Sequence, residues 1–180
     1  MTIETTPIEG LKIITPRLFN DSRGYFCETY NRERYFAAGI TAEFVQDNQS
    51  CSSYGVVRGL HFQCGDWAQA KLVTCLSGSV LDVAVDIRPS SPTYGQWHSV
   101  ELTAENHRQF FIPRGFAHGF SVLSDTAVFA YKCDNFYHPE AEAGIRLDDA
   151  LLGIDWRVPR DKWILSDKDT RHPAFEELKL

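Results

Sequence analysis

The sequence predicts an all-β fold, and three observations carry that prediction. Turn chemistry recurs between short apolar segments, one segment alternates with a strict period of two, and only one short stretch has helical signals. In chain order, Asp21-Ser22-Arg23-Gly24 is the first turn, where glycine and short polar side chains favour a tight reversal. Arg32-Glu33-Arg34-Tyr35-Phe36-Ala37-Ala38 reads as a short helix stopped by Gly39. Val57–Gln63 and the segment Gln69-Ala70-Lys71-Leu72-Val73 read as two neighbouring strands. Ser77-Gly78 turns the chain into the clearest strand, Val80–Arg88. There Leu81, Val83, Val85 and Ile87 share one face while Asp82, Ala84 and Asp86 share the other, so two acids line one side. Pro89-Ser90-Ser91-Pro92 and Pro113-Arg114-Gly115 are further turns, at a spacing that belongs to a sandwich or barrel rather than to βαβ units. From about residue 159 the chain is polar and proline-containing, through Ser166-Asp167-Lys168-Asp169 and His172-Pro173. This segment is expected to wrap the outside of the sheet, from where it can deliver one side chain to a cavity.

Composition bounds the function classes. A length of 180 residues suits one domain, 1–180, and 43% hydrophobic with 13% aromatic residues is enough to build its core. No apolar run approaches a membrane span. The start, Met1-Thr2-Ile3-Glu4-Thr5-Thr6, has neither a basic stretch nor an apolar segment, so no secretory signal is readable and cytoplasmic residence is the expectation. Cys27, Cys51, Cys64, Cys75 and Cys133 form no C-x-x-C pair, which argues for thiols in a reducing compartment and against disulfides or a zinc knot. A net charge of −6 offers no basic surface for a polyanion, and nucleic-acid binding is not expected.

The segment Val57-Arg58-Gly59-Leu60-His61-Phe62-Gln63 carries a cation and an imidazole, and Lys71 adds an ammonium. In a regular strand Arg58 and His61 would point to opposite faces. Gly59 between them predicts a bulge that re-aims one of the two. An imidazole titrates nearest neutrality, and a carboxylate on its second nitrogen fixes the tautomer. Asp169, Asp82 and Asp86 are the candidates for that partner of His61. Lys71 suits stabilisation of a developing oxyanion, and Tyr131 can supply a phenolic proton from elsewhere in the barrel. Base, oxyanion clamp and acid together point to enolisation beside a carbonyl, with inversion if the proton returns on the other face. His118, among apolar neighbours, reads as a hydrogen-bonded core residue or an orienter of the site. His98, His107, His138 and His172 lie near turns and read as surface, and Cys75 reads as a small buried hydrophobe.

Several ordered segments resemble the sugar-nucleotide 3,5-epimerases of the dTDP-4-keto-6-deoxyhexose (dTDP-4-dehydrorhamnose) type. They are Asp21–Phe26, Phe44–Asn48, Arg58–Gln63, Gln69–Val73, Asp82–Arg88, Pro113–Phe120 and Leu165–Asp169. The resemblance implies a cupin-like jelly-roll barrel or sandwich with a few short helices, in a homodimer with an exchanged N-terminal strand and a nucleotide-sugar substrate in the barrel mouth. It makes His61 the base with Asp169 as its partner, Lys71 the enolate stabiliser and Tyr131 the acid. Arg58 and His118 resemble residues that grip the diphosphate or line the pocket. Phe19, Arg23, Phe26, Gln46, Asn48, Tyr137 and Lys168 resemble nucleotide contacts, some reaching across from the neighbouring subunit. The implied reaction is epimerisation at C3 and C5 without a redox cofactor. Mono-epimerisation, a metal-dependent cupin oxygenase and a sugar-nucleotide-binding module are the alternatives. Many cupins hold a metal through an H-x-H pair, but His61 is followed by Phe62 and Gln63. With His118 it makes half a ligand set, and metal-independent activity is expected. Leu147 stands where the family pattern leads one to expect an aromatic residue.

Overall fold

Period-two patterning resolves into two antiparallel sheets that face one another. The structure, a computed structural model, describes residues 1–178, so the last two positions of the expected 1–180 domain lie outside the described residues. The strands are β1 (Thr2–Thr5), β2 (Lys12–Thr15), β3 (Leu18–Asp21), β4 (Gly24–Cys27), β5 (Gln46–Ser53), β6 (Val57–Gln63) and β7 (Lys71–Ser77). They continue with β8 (Ser79–Asp86), β9 (Trp97–Thr103), β10 (Gln109–Ile112), β11 (Phe116–Val122), β12 (Thr126–Cys133) and β13 (Glu142–Gly144). One sheet has the order β1-β2-β10-β7-β12-β5, the other β13-β6-β11-β8-β9, and β3-β4 is a separate hairpin. Strand β1 lies on β2 of its own chain, with Thr2 opposite Thr15 and Thr5 opposite Lys12. None of the described helices is long and apolar enough to cross a membrane.

Apolar side chains from both sheets meet in one core, among them Val73, Phe110 and Phe129 from one and Val80, Ala84 and Phe120 from the other. Each fully buried valine or phenylalanine among them contributes about 1.5–3 kcal/mol from its removal from water. Strand β8 is buried on both faces because its other face, Leu81, Val83 and Val85, is covered by Ile145, Leu147, Leu152 and Trp156 of the later chain. The expected period-two pattern is therefore present, but neither face meets solvent. Leu147 is 4% exposed and its carbonyl accepts the Trp156 indole N–H at 2.8 Å, so the unexpected leucine is a packed core residue. The C-terminal segment bridges Val56 to Ile164 and forms short 3-10 turns at Arg160–Lys162 and Asp169–Arg171.

The helix, α1 (Arg32–Ala37), starts where the Asn31 side chain accepts the Arg34 N–H and ends before Gly39, whose φ is +76°. Its Tyr35 packs with Ile14, Leu72 and Phe111 on the outer face of the six-stranded sheet. The bulge predicted at Gly59 is present. His118 pairs with His61 and Phe120 with Arg58, so Gly59 and Leu60 together oppose Gly119. Gly59 has φ +138°, and a Cβ there would lie 2.6 Å from the Gly119 Cα.

Candidate active site

The bulge re-aims β6 so that Arg58 and His61 line the same cavity, one of about 160 Å³ shared with Lys71, His118, Phe129 and Tyr131. A second cavity of about 160 Å³ adjoins it, lined by Gln46, Asn48, Gln63, Tyr137 and Glu142 and again by His61, Lys71 and Tyr131. The expectation that His61 and Lys71 sit on neighbouring strands is corrected. Strands β6 and β7 are consecutive in the chain but belong to different sheets. The 3-10 turn Gly65–Trp67 and the residues after it carry the chain across, so the cavity lies between the layers. His61 comes from one sheet, Lys71 and Tyr131 from the other. A larger hollow of about 410 Å³ shares Asn48 and Tyr131 but contains neither His61 nor Lys71.

Of the three carboxylates open to His61, the fold selects Asp169: His61 Nε2 stands 2.5 Å from Asp169 Oδ1. Burial pushes the Asp169 carboxyl up, but the hydrogen bond and charge of His61, with help from Ser166, hold it below the usual carboxylate range. An ionised carboxylate only accepts, so the proton of this bond belongs on Nε2 and the lone pair on Nδ1 is free to act as a base. Asp82 instead pairs with His118, Nε2 to Oδ2 at 2.9 Å, and both are buried. Burial pushes the Asp82 carboxyl up and the His118 imidazole down, each toward its neutral form. Asp86 has other partners: it accepts from Arg88, Ser91 and Thr93 at the end of β8.

Burial also pushes the Lys71 ammonium below the usual lysine range, against the charges of Cys133, Asp82 and Glu142. Its Nζ stands 5.9 Å from the centre of the Tyr131 ring. Burial pushes the Tyr131 phenol up, Cys133 adding and Arg58 opposing, so at neutral pH the phenol keeps its proton and is an acid. Arg58 donates to the Ser52 hydroxyl at 3.2 Å.

At the mouth, Gln46 donates to Asn48 at 3.1 Å and accepts the Tyr137 backbone N–H at 3.1 Å. The Tyr137 hydroxyl donates to Glu142 at 2.7 Å, and Lys168 forms a short contact with the other oxygen of that carboxylate. Phe19, Arg23 and Phe26 do not join His61 within the chain. They lie on the β3-β4 hairpin, where Phe19 and Phe26 are 49% and 68% exposed and Arg23 pairs with Asp21.

Three residues of the site have no local signal in the sequence. Glu142 and Gln63 reach the cavity because β13 pairs with β6, Glu142 opposite Gln63. His172, read as surface, is corrected: its side chain is 11% exposed, lies 3.7 Å from Asp169 Oδ1 and packs edge-on against His61. The C-terminal wrap turns it inward together with Asp169. Among the described residues, His61, Asp169 and His172 form the one group of three or more metal-ligating side chains, with ligand atoms within 4.8 Å of one another. His118, held by Asp82, is not part of it.

Comparison places the chain among characterised proteins. The sequence model of one protein family, dTDP-4-dehydrorhamnose 3,5-epimerase, matches residues 5–177. The dTDP-4-dehydrorhamnose 3,5-epimerase of Escherichia coli (strain K12) is 51% identical over 179 residues, covering 99% of this chain and 96% of its own. A crystal structure of dTDP-4-dehydrorhamnose 3,5-epimerase from Elizabethkingia anophelis NUHP1 superposes with a TM-score of 0.96 at 54% identity, covering 100% of this chain and 99% of that one. A second, dTDP-6-deoxy-D-glucose-3,5-epimerase from Legionella pneumophila in complex with dTDP-4-keto-L-rhamnose, has a TM-score of 0.95 at 51% identity, covering 99% and 94%.

Proposed function

Because the chain belongs to the dTDP-4-dehydrorhamnose 3,5-epimerase family, we propose that His61, Asp169, Lys71 and Tyr131 carry the reaction of that family on this scaffold. The activity is epimerisation at C3 and C5 of dTDP-4-keto-6-deoxy-D-glucose, giving dTDP-4-keto-L-rhamnose for dTDP-L-rhamnose biosynthesis. The observation that carries the residue roles is that His61 and Tyr131 come from opposite sheets and face the same cavities, with Lys71 in the same lining.

The 4-ketone acidifies the C–H bonds on either side of it. His61 Nδ1 removes the proton at one of these carbons, and the electron pair moves onto the ketone oxygen as an enolate. Asp169 holds the imidazole in the required tautomer and stabilises the imidazolium that forms. The Lys71 ammonium meets the enolate oxygen, a type of contact worth about 3 kcal/mol in the transition state. Collapse of the enolate takes a proton from the Tyr131 hydroxyl on the opposite face, which inverts the carbon. His61 then gives its proton to solvent and Tyr131 takes one back, and with base and acid restored the same carbonyl serves the second carbon. Every electron pair returns to carbon, so the reaction needs no redox cofactor.

The two adjoining cavities take the hexose, and Arg58 and His118 lie where they can meet the diphosphate. Gln46, Asn48, Tyr137 and Lys168 form a rim for the nucleotide, where a planar base finds an aromatic face. The protein acts as one domain over residues 1–180 and as a homodimer with an exchanged N-terminal strand. In that assembly the partner's β1 takes the register on β2 that the chain's own β1 occupies here, and the exposed hairpin lends Phe19, Arg23 and Phe26 to the neighbouring site.

The test is incubation of dTDP-4-keto-6-deoxyglucose with the protein in D₂O, followed by NMR and mass spectrometry. Deuterium with inversion at both C3 and C5 is expected. Label at one carbon only would make the protein a mono-epimerase.

A further inference from the structure

We propose that His61, Asp169 and His172 form a binding site for one divalent transition-metal ion of the zinc class, and that its occupation switches the base off. The metal site stands on the geometry alone, and the switching rests on the function proposed above. His172 is held in place from several directions. Its ring lies over Gly144, where a Cβ would fall 2.5 Å from the imidazole, and Gly144 is the residue opposite His61 in the β13-β6 pairing. On one side the 3-10 turn Asp169–Arg171 precedes it, and on the other the Pro173 carbonyl accepts the Arg146 N–H at 2.9 Å. The ring nitrogen Nε2 is buried, has no hydrogen-bond partner, and points at Asp169 Oδ1 from 3.7 Å. A buried unpaired imidazole nitrogen is costly to leave unmade.

That spacing is too long for a hydrogen bond, but two ligands on one tetrahedral ion stand ~3.4 Å apart, given metal–ligand distances of about 2.0–2.2 Å. Two imidazoles and a carboxylate are a ligand set that zinc takes readily, and they leave a fourth position. His61 opens on both cavities, so the ion has a path in. The His61–Asp169 pair, at 2.5 Å, must open by about 1 Å to admit it, so the metal and the short hydrogen bond exclude one another. When the ion takes the His61 Nε2 lone pair, the proton formerly on Nε2 is released and Nδ1 takes one up. The count of protons is unchanged, but the lone pair that would attack a C–H bond is gone.

The experiment is calorimetric titration of the protein with zinc chloride alone, without nucleotide sugar, on wild type, His172→Gln and His138→Gln. One ion per chain at micromolar affinity or tighter is expected, weakened at least tenfold by His172→Gln and unchanged by His138→Gln. His138 pairs with Glu140 and is not one of the three clustered ligands, so loss of binding in His138→Gln instead, or equal binding in all three, overturns the site. A measurement on wild type alone removes dependence on the folding of variants. Cobalt(II) should shift the imidazole NMR signals of His61 and His172, and shifts confined to other histidines overturn the proposal. Zinc should also suppress deuterium exchange at C3 and C5 in proportion to occupancy, with recovery on chelation. Full occupancy with unimpaired exchange overturns the switch. A protein with no exchange under any condition counts against the proposed function instead, and the titration still judges the metal site.

Discussion

The imidazole of His61 meets the carboxylate of Asp169 at 2.5 Å across 108 positions of sequence. Strand β6 supplies one partner and the C-terminal wrap the other, so the basicity of the site depends on a segment that contributes little to either sheet. Asp169→Asn keeps the size of the side chain but removes the charge and the tautomer control. We expect kcat to fall about 10²-fold or more while KM changes little. Steady-state kinetics on the nucleotide sugar check this, and an Asn variant with near-normal kcat would make Asp169 a packing residue.

Tyr131→Phe removes the acid and leaves His61 and Lys71 in place. Proton removal at carbon should continue, seen as deuterium uptake with retained configuration, while inversion drops about 10²-fold or more. If uptake and inversion fall together, the tyrosine acts before the enolate forms and its assignment as the returning acid is wrong.

Gly59→Ala tests the bulge. The backbone has φ +138° there and the added Cβ would meet the Gly119 Cα at 2.6 Å, so strain and overpacking coincide. A loss of about 2–4 kcal/mol is expected, read from the urea midpoint, with activity falling because Arg58 and His61 no longer share a cavity. An unchanged midpoint would show that β6 tolerates a regular ladder.

Asp86 carries a pH dependence with a definite sign. It is fully buried, and although burial pushes its carboxyl up, the bonds from Arg88, Ser91 and Thr93 hold it well below the usual range. A carboxylate held lower in the folded state than its unfolded value of about 3.9 adds stability above that value, and the addition disappears as the pH falls through the folded one. Asp86→Asn should therefore cost about 2–3 kcal/mol at neutral pH. The gap from wild type should narrow on acidification from about pH 5. Denaturant midpoints for both proteins across that range measure it, and a gap that widens in acid contradicts the assignment.

The sequence by itself determined the local features of this protein. Alternation in Val80–Arg88, the turns at Ser77-Gly78 and Pro113–Gly115, the helix stopped by Gly39 and the bulge at Gly59 all depend on residues within a few positions of one another. His61 and Lys71 were legible as candidates for the same reason, each standing in a short strand-like segment, and Tyr131 as a phenol able to serve from elsewhere in the barrel. Only the tertiary structure decided how these pieces meet. Periodicity says which face of a strand is apolar, but not which sheet the strand joins, so β6 and β7 read as neighbours although they lie in facing layers. The same limit left Asp169, Asp82 and Asp86 equivalent as partners for His61. The fold separates them by giving Asp82 to His118 and Asp86 to Arg88. His172, Glu142 and Gln63 enter the site through strand pairing and chain wrapping. Such contacts follow from the closure of long loops around a shared core, and the energy that closes them is spread over the buried side chains rather than written at the residues it brings together.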